Sequence, residues 1–182
     1  MTEQMLLLVN ENDKFLGKYG LKSKCHKGKG LHHRAFTILI RNKKGEVLLQ
    51  RRKHKIWDNF WDLTNSHPLH KENSKDETYQ EAVRRCLKRE WGVDFPVKKL
   101  FGFNYFAKYR NFCENEYCAF LIGEYNGKVY PNPEVIYGYR WLALDNLLKE
   151  IKIRPQEYTP WSITAIEELS ARKADFNYLN RV

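Results

Sequence analysis

Short apolar runs that alternate with polar turns predict β-strands along most of the chain. The predicted strands cover residues 5–9, 15–17, 34–40, 46–50, 97–105, 116–125 and 137–142. A polar turn joins the first two strands and the turn at residues 42–45 joins the next two, so each pair predicts a hairpin. Asn126-Gly127 is a further hairpin signal that predicts a strand at residues 128–130, whereas the basic, glycine-bearing residues 19–31 predict a loop.

One long helix is predicted to follow a polar turn at residues 64–68, which carries His67. Ser74 and Glu77 match a capping box at the start of this helix, and Gly92 is expected to end it. Its apolar stripe consists of Tyr79, Ala82, Val83, Cys86 and Leu87. Because free N–H groups at a helix N-terminus favour anions, and the turn carries a histidine, the turn and the helix start together predict a place for metal and phosphate.

Two shorter helices are predicted nearer the end of the chain. One runs from Asp145 to about residue 152, and the other begins at Thr159-Pro160, a capping residue followed by proline at the first helical position. The sequence shows no repeats or linkers, and 182 residues are enough for one sizeable core. Strands mixed with three helices therefore predict one α/β domain over residues 1–182.

Composition narrows the compartment and the class of ligand. A net charge of +10 and a pI near 9.4 indicate either an acidic ligand, such as a small phosphorylated molecule or nucleic acid, or a solvated lysine-rich surface. The four cysteines show no CxxC spacing and the N-terminus lacks a signal-peptide pattern, so we expect a reduced, cytoplasmic protein with free thiols. The longest apolar runs are too short to cross a bilayer.

Acidic and imidazole side chains form a candidate metal cluster. Glu114 and Glu116 lie two residues apart, and in a strand such residues point to the same face. His26, His33 and His67 stand in loops or at the edge of a strand, so the five residues would supply nitrogen and oxygen ligands suited to zinc, manganese or magnesium. The alternative is that the two acids are simply exposed and the histidines are ordinary surface or core residues.

The long helix also carries a row of charges that has two interpretations. Glu77, Glu81, Arg85 and Glu90 lie on it, and Glu81 with Arg85 has the spacing of an ion pair. The row is either a solvated helix face or a carboxylate-bearing surface that holds Mg²⁺ against a diphosphate.

The spacing of several of these residues resembles the Nudix box. The matching residues are Glu77, Arg85, Leu87, Glu90, Gly92 and Val93. The wider chain resembles type 1 isopentenyl-diphosphate isomerase, a Nudix-fold enzyme that interconverts isopentenyl and dimethylallyl diphosphate. Further matching positions are His26, His33, Leu48 to Arg52, Trp57, Trp61, Thr64 to Ser66, His67-Pro68, Glu114 to Glu116, and Thr159 to Trp161. The resemblance implies an α/β (α+β) Nudix fold in which a mixed β-sheet is packed between helices.

The resemblance also implies a metal-dependent isomerase with a role for each matching residue. One divalent metal, Mg²⁺, Mn²⁺ or Zn²⁺, would be held by His26, His33, His67, Glu114 and Glu116. Glu90 would hold a second ion, Mg²⁺, shared with the diphosphate. The diphosphate oxygens would be bound by Lys22, Arg52 and Lys55.

The implied reaction protonates an alkene to a tertiary carbocation and removes a proton from the neighbouring carbon. Glu116 with Tyr105 would transfer protons on one side of the substrate, and the ring face of Trp161 would stabilise the cation. The partner is then a small-molecule diphosphate rather than a nucleic acid or a membrane, and we expect a monomer or a homodimer.

Asn65 is the main departure from the family pattern. The family has a cysteine two residues before the histidine of His67-Pro68, as the proton carrier on the other face of the substrate, and asparagine cannot exchange a proton near neutral pH. A Nudix hydrolase of a diphosphate-containing metabolite and a non-catalytic diphosphate-binding relative are therefore the alternatives. The box also departs from typical hydrolases, with Lys71 at the leading glycine position, Cys86 in place of a glutamate and Arg89 beside the surviving Glu90.

Overall fold

The computed structural model describes residues 3–71 and 75–180, which contain nine β-strands and five α-helices. The strands are β1 (Met5–Val9), β2 (Phe15–Leu21), β3 (His33–Arg41), β4 (Glu46–Arg52), β5 (Trp61–Asp62), β6 (Thr64–Ser66), β7 (Lys98–Tyr109), β8 (Phe112–Glu124) and β9 (Ile136–Ala143). The helices are α1 (Lys22–Cys25), α2 (Tyr79–Trp91), α3 (Leu144–Ile153), α4 (Pro160–Ala171) and α5 (Lys173–Asn180).

Strand β3 is the centre of a mixed sheet. Along its whole length it pairs in parallel with β8, and β8 forms a long antiparallel hairpin with β7. The other edge of β3 is shared by three antiparallel neighbours, with β1 near its start, β6 in its middle and β4 at its end. Strand β4 in turn pairs with β5 and β9.

Helices cover both faces of the sheet because successive side chains of a strand point to opposite sides. Phe36 and Ile38 belong to the core beneath α2, which contributes Leu87 and Trp91. Leu39 belongs to the core on the opposite face, which α3, α4 and α5 cover. The α+β fold with a mixed sheet packed between helices is therefore confirmed.

Several local predictions were wrong where strand pairing overrode local signals. The second predicted hairpin does form, but its strands pair only at Arg41 and Val47, beside their turn, because β6 and β1 occupy the edge of β3 further along. The predicted loop at residues 19–31 contains the end of β2 and all of α1. The turn predicted at residues 64–68 begins with a strand, β6, that pairs with β3.

Helix α2 begins later than predicted. Thr78 is its N-cap, since the Thr78 hydroxyl accepts from the N–H of Glu81 and the Glu81 carboxylate accepts from the N–H of Thr78. Ser74, the predicted cap, lies outside the described residues. Gly92 ends the helix as predicted, with a φ of 66° in the left-handed region that favours glycine.

The C-terminal half holds two further differences. Residues 128–130 form no strand, and instead the N–H of Tyr130 donates to the carbonyl of Trp91 at the end of α2. Thr159 and Pro160 do start a helix as predicted, but the Thr159 side chain does not cap it, since its hydroxyl donates to Asp62 instead. The separate helix α5 then follows α4.

All four cysteines are buried free thiols, in agreement with the sequence. Over the two described ranges, no helix combines the length and the apolar character needed to cross a membrane.

Candidate functional site

Three adjacent strands place His33, Glu116 and Tyr105 in one row. Parallel pairing sets His33 of β3 opposite Glu116 of β8, and antiparallel pairing sets Tyr105 of β7 on the other side of Glu116. Side chains that are directly opposed on a sheet lie about 5 Å apart and therefore meet. The Nε2 atom of His33 is 3.1 Å from Oε1 of Glu116, and the Tyr105 hydroxyl donates to Oε2 of Glu116.

Three further side chains complete a cluster around Glu116. His67, which follows β6, has its Nε2 atom 2.8 Å from Oε1 of Glu116, and His26, which follows α1, has its Nε2 atom 3.0 Å from Oε2 of Glu114. Together with His33 there are three histidines and two glutamates, each of which offers one ligand atom, and these five atoms all lie within 4.8 Å of one another. We call these five residues, His26, His33, His67, Glu114 and Glu116, the His/Glu cluster.

The hydrogen bonds of two of these histidines leave one ring nitrogen of each facing the cluster. The Nδ1 atoms of His26 and His33 each lie 2.8 Å from a backbone carbonyl, that of Lys22 and that of Leu31. A carbonyl only accepts, so each Nδ1 carries a proton. Nε2 is then an acceptor that could bind a cation when the ring is neutral, and a donor to the facing carboxylate when the ring is protonated. In the described part of the chain, the buried Oε2 of Glu114 has no hydrogen-bond donor. Acceptors that face one another at about 3 Å fit a bound cation.

Burial dominates the electrostatics of the cluster. Burial and the adjacent charge of Glu116 raise the pKa of Glu114. Although burial opposes it, contacts with His33 and His67 hold the pKa of Glu116 well below its usual range. Burial and the charge of Glu116 also raise the pKa of the Tyr105 hydroxyl well above its usual value. The result is an ionised carboxylate beside a phenol that keeps its proton.

Arg85 and Glu77 hold the main chain at His67. The guanidinium of Arg85 contacts both carboxylate oxygens of Glu77, with Nη2 to Oε2 at 2.8 Å and Nε to Oε1 at 3.0 Å. The same Nη2 donates to the carbonyl of His67 at 2.8 Å, and the N–H of Leu69 donates to Glu77 at 3.1 Å. Glu77, which was predicted to lie on the helix, precedes it and positions a cluster residue through Arg85. Glu81 forms part of the helix cap, and Arg85 pairs with Glu77 rather than with Glu81 as its spacing suggested.

A cavity of about 470 Å³ opens beside the cluster. All of the predicted site residues except the fully buried His33 line it: Lys22, His26, Arg52, Lys55, Asn65, His67, Glu90, Tyr105, Glu114, Glu116 and Trp161. Helix α2 reaches the cavity near its end, through Arg89 and Glu90. The first residues of α2 are not among those that line this cavity, so the cavity does not support the expectation that the start of this helix binds phosphate.

The sequence pattern did not single out Asp62, a fully buried acid that ties the cavity wall together. Its carboxylate accepts hydrogen bonds of 2.7 to 3.1 Å from five side chains, those of Arg52, Asn65, Thr159, Trp161 and Ser162. A lone acid between Trp61 and Leu63, in an otherwise apolar segment, was the signal available in the sequence.

The three predicted diphosphate-binding cations differ in how firmly they are held. Arg52 is fixed, since it also donates to the carbonyl of Ile56 at 3.2 Å and lies 3.2 Å from Nδ1 of His54. The Nζ of Lys22 donates to Oε1 of Gln4 at 3.1 Å, and the Nζ of Lys55 lies 5.7 Å above the ring of Phe112.

Asn65 faces the cavity from β6, and its side chain is bound to other polar groups. Its Nδ2 atom donates to Oδ2 of Asp62 at 2.7 Å and to the carbonyl of Leu63 at 2.9 Å. Cys86 has its Sγ 3.5 Å from the carbonyl of Asn65, but Cys86 and Cys118 are buried and neither is among the residues that line the cavity. Burial raises the pKa of both thiols well above the usual value.

Comparisons with known proteins identify close relatives in sequence. Residues 31–162 match the family described as the NUDIX domain. A protein of Photorhabdus laumondii named isopentenyl-diphosphate Delta-isomerase 2 is 34% identical over 172 residues, which span 92% of this chain and 93% of that protein. A protein of the same name from Aromatoleum aromaticum is 31% identical over 171 residues, which span 92% of this chain and 87% of that protein.

Solved structures share the fold at lower identity. A protein from Deinococcus radiodurans superposes with a TM-score of 0.68 at 20% identity, and the match covers 90% of this chain and 98% of that one. A MutT protein from Methanosarcina mazei superposes with a TM-score of 0.62 at 20% identity, over 78% of this chain and 95% of that one.

Proposed function

The chain belongs to the NUDIX family and, within it, to the isopentenyl-diphosphate Delta-isomerases, and from this premise we propose that it interconverts isopentenyl and dimethylallyl diphosphate in the cavity described above. The observation that carries the proposal is the row of His33, Glu116 and Tyr105 across three strands. Glu116 contacts both of the other residues in this row. Its carboxylate is therefore shared by the proposed metal site, which includes His33, and by the proposed proton-transferring pair, which includes Tyr105.

The His/Glu cluster is proposed to hold one divalent cation, Mg²⁺, Mn²⁺ or Zn²⁺. The support is the convergence of five ligand atoms within 4.8 Å and the donor set of three imidazoles and two carboxylates. A bound cation would supply the positive charge that keeps both carboxylates ionised in a buried site. Glu90, whose buried Oε2 has no hydrogen bond within the described residues, is proposed to help hold Mg²⁺ beside the substrate diphosphate.

Glu116 and Tyr105 are proposed to transfer the proton on one face of the alkene. The Tyr105 hydroxyl donates to Oε2 of Glu116, so a proton can pass between the carboxylate, the phenol and a substrate carbon without free water. Trp161 is proposed to face the carbocation. Its Nε1 donates to Oδ1 of Asp62 at 2.7 Å, which fixes the plane of the ring, and the guanidinium of Arg52 already lies 5.1 Å from the ring centroid.

Lys22, Arg52 and Lys55 are proposed to bind the diphosphate. They line the same cavity as Trp161 and Glu116, so a diphosphate held by them would direct its short hydrocarbon tail toward the proton-transferring pair. Binding of the charged end thereby positions the weakly basic alkene, which offers little to bind directly.

Because Asn65 supplies no proton carrier on the second face, the pair of Glu116 and Tyr105 is proposed both to deliver one proton to the alkene and to accept the proton that leaves the neighbouring carbon. The experiment tests whether this pair is sufficient. The purified protein with Mg²⁺ and isopentenyl diphosphate in deuterated water should incorporate deuterium into the substrate and form dimethylallyl diphosphate, and Asn65→Cys should accelerate both. Phosphate release measured in the same samples tests for hydrolysis. Absence of deuterium exchange in the unmodified protein, whether or not Asn65→Cys restores it, would overturn the proposed activity.

A further inference from the structure

Arg89 places a cation in the cavity that none of the predicted roles uses. It lies in the last turn of α2, and its Nη2 atom is 2.5 Å from Oε1 of Glu90. The carboxylate of Glu90 is buried, whereas the side chain of Arg89 is 45% exposed and lines the cavity. A buried acid therefore anchors a guanidinium that reaches into the open space.

Arg89 and the predicted diphosphate-binding residues form one concentration of positive charge. Arg89, Arg52 and Lys22 come from three separate segments and line the same cavity. Burial and the charge of Arg89 lower the pKa of Lys22, with a smaller contribution from Arg52 and an opposing one from Glu114. Arg52 is neutralised by Asp62 at 3.1 Å and Arg89 by Glu90. The Nζ of Lys22 donates to the neutral amide of Gln4 and has no carboxylate within 4.0 Å among the described residues.

The hydrogen-bonding capacity of Arg89 also favours a phosphate-bearing ligand in the cavity. A guanidinium carries five N–H donors in a planar fork that matches phosphate oxygens. Within the described ranges, Glu90 is the only hydrogen-bond partner of the Arg89 side chain, so most of its donors are available to a ligand in the cavity.

We propose that Arg89 binds the diphosphate of the substrate and that Glu90 orients it through Oε1. The inference deepens the proposed function and rests on it for the identity of the substrate, although the diphosphate group alone is enough for the contact. Typical Nudix hydrolases use several glutamates of this box to gather metal ions, whereas Arg89 supplies fixed positive charge at the end of α2. Arg89 would then supply part of the positive charge that neutralises the diphosphate, which Mg²⁺ would otherwise supply.

Inorganic pyrophosphate is the probe that tests this contact, because its binding requires no turnover. Titration calorimetry without Mg²⁺ should show that Arg89→Ala weakens pyrophosphate binding by about ten- to a hundredfold, the usual size of a lost charge-assisted contact. Arg89→Lys should lie in between, since it keeps the charge but loses the fork. Saturating Mg²⁺ should reduce the difference between the unmodified protein and Arg89→Ala.

Lys88→Ala is the matched control, because Lys88 is the preceding residue, is exposed, pairs with Asp94 at 3.7 Å and does not line the cavity. It removes the same charge from the same helix and should change pyrophosphate affinity by less than about twofold. Thermal unfolding should show that both variants are folded. Equal affinity in Arg89→Ala and the unmodified protein, or an equal loss in Arg89→Ala and Lys88→Ala, would overturn the proposal.

The deuterium-exchange experiment separates this inference from the proposed function. Weakened pyrophosphate binding in Arg89→Ala without deuterium exchange in the unmodified protein would sustain the contact and reject the isomerase. Deuterium exchange in the unmodified protein with unchanged pyrophosphate binding in Arg89→Ala would reject the contact alone.

Discussion

The side-chain amide of Asn65 donates a 2.7 Å hydrogen bond to Oδ2 of Asp62, and this contact ties the residue at the cysteine position to the acid that holds Arg52 and Trp161. The amide therefore belongs to the same hydrogen-bond network as the proposed diphosphate-binding and cation-stabilising residues. A cysteine at this position could not donate two such hydrogen bonds, so Asn65→Cys is expected to release part of this network while it adds a proton carrier.

Asp62→Ala should destabilise the protein strongly. It leaves the half-buried Arg52 without its ion-pair partner and removes a fully buried acceptor from four further side chains, which typically costs about 3–5 kcal/mol of unfolding free energy. Urea unfolding measures the loss. Asp94→Ala is the control, since Asp94 forms exposed ion pairs whose loss costs less than about 1 kcal/mol. Similar losses in the two variants would contradict the role assigned to Asp62.

His67→Ala should lower metal affinity by at least about tenfold, because it removes one of the five proposed ligands. The loss of affinity is tested by measuring the metal content of the variant by mass spectrometry after dialysis. His32→Asn is the matched control. His32 adjoins His33 in sequence, but its ring contacts the carbonyl of Val9 and the side chain of Asn104. Full metal content in His26→Ala, His67→Ala and Glu116→Ala would show that the site does not exist.

Arg85→Lys should weaken metal binding by about ten- to a hundredfold without removing a ligand, because lysine cannot hold Glu77 and the carbonyl of His67 at once. Competition with a fluorescent chelator gives the dissociation constant. Arg84→Lys, at an exposed position paired with Asp94, should leave the constant unchanged. An unchanged constant in Arg85→Lys would mean that the His67 loop holds its position without this contact.

Tyr105→Phe should slow isomerisation by about 10²–10⁴-fold while metal content stays at the level of the unmodified protein. The hydroxyl is the group that reaches Glu116, and the ring that remains preserves the packing. Tyr109→Phe, on the same strand, should keep the rate of the unmodified protein. A Tyr105→Phe variant that is as fast as the unmodified protein would exclude the phenol from proton transfer.

His54 should make stability depend on pH below about 6.5. Burial and the adjacent charge of Arg52 lower the pKa of His54 to about 4, so the unfolded chain binds this proton at a higher pH than the folded one. The stability that comes from neutral His54 is present above the unfolded pKa and is lost as the pH falls from about 6.5 toward 4. Urea unfolding of His54→Asn across this window should fall less steeply than that of the unmodified protein, and equal slopes would contradict the shift.

Local pattern was sufficient to predict much of the fold, and the resemblance to the isomerase family supplied most of the candidate residues. The apolar stripe of α2, its end at Gly92, and the Thr159-Pro160 start of α4 depend on neighbours within one or two turns, and these predictions were correct. The resemblance to the isomerase family rested on residue identities and spacing, which are properties of the sequence. For the same reason, Asn65 at the cysteine position was visible before the fold was known.

Contacts between residues that are far apart in the sequence depended on the tertiary structure and could not be predicted from spacing. The register of β3 with β8 brings His33 to Glu116 across more than eighty residues of chain, and no local preference encodes that pairing. The role of Asp62 could not be predicted from its apolar neighbours alone, because three of its donors, Thr159, Trp161 and Ser162, lie about a hundred residues away in the sequence. Arg89 likewise lines the cavity because the end of α2, rather than its start, reaches the cavity. The packing of the helix on the core determines this.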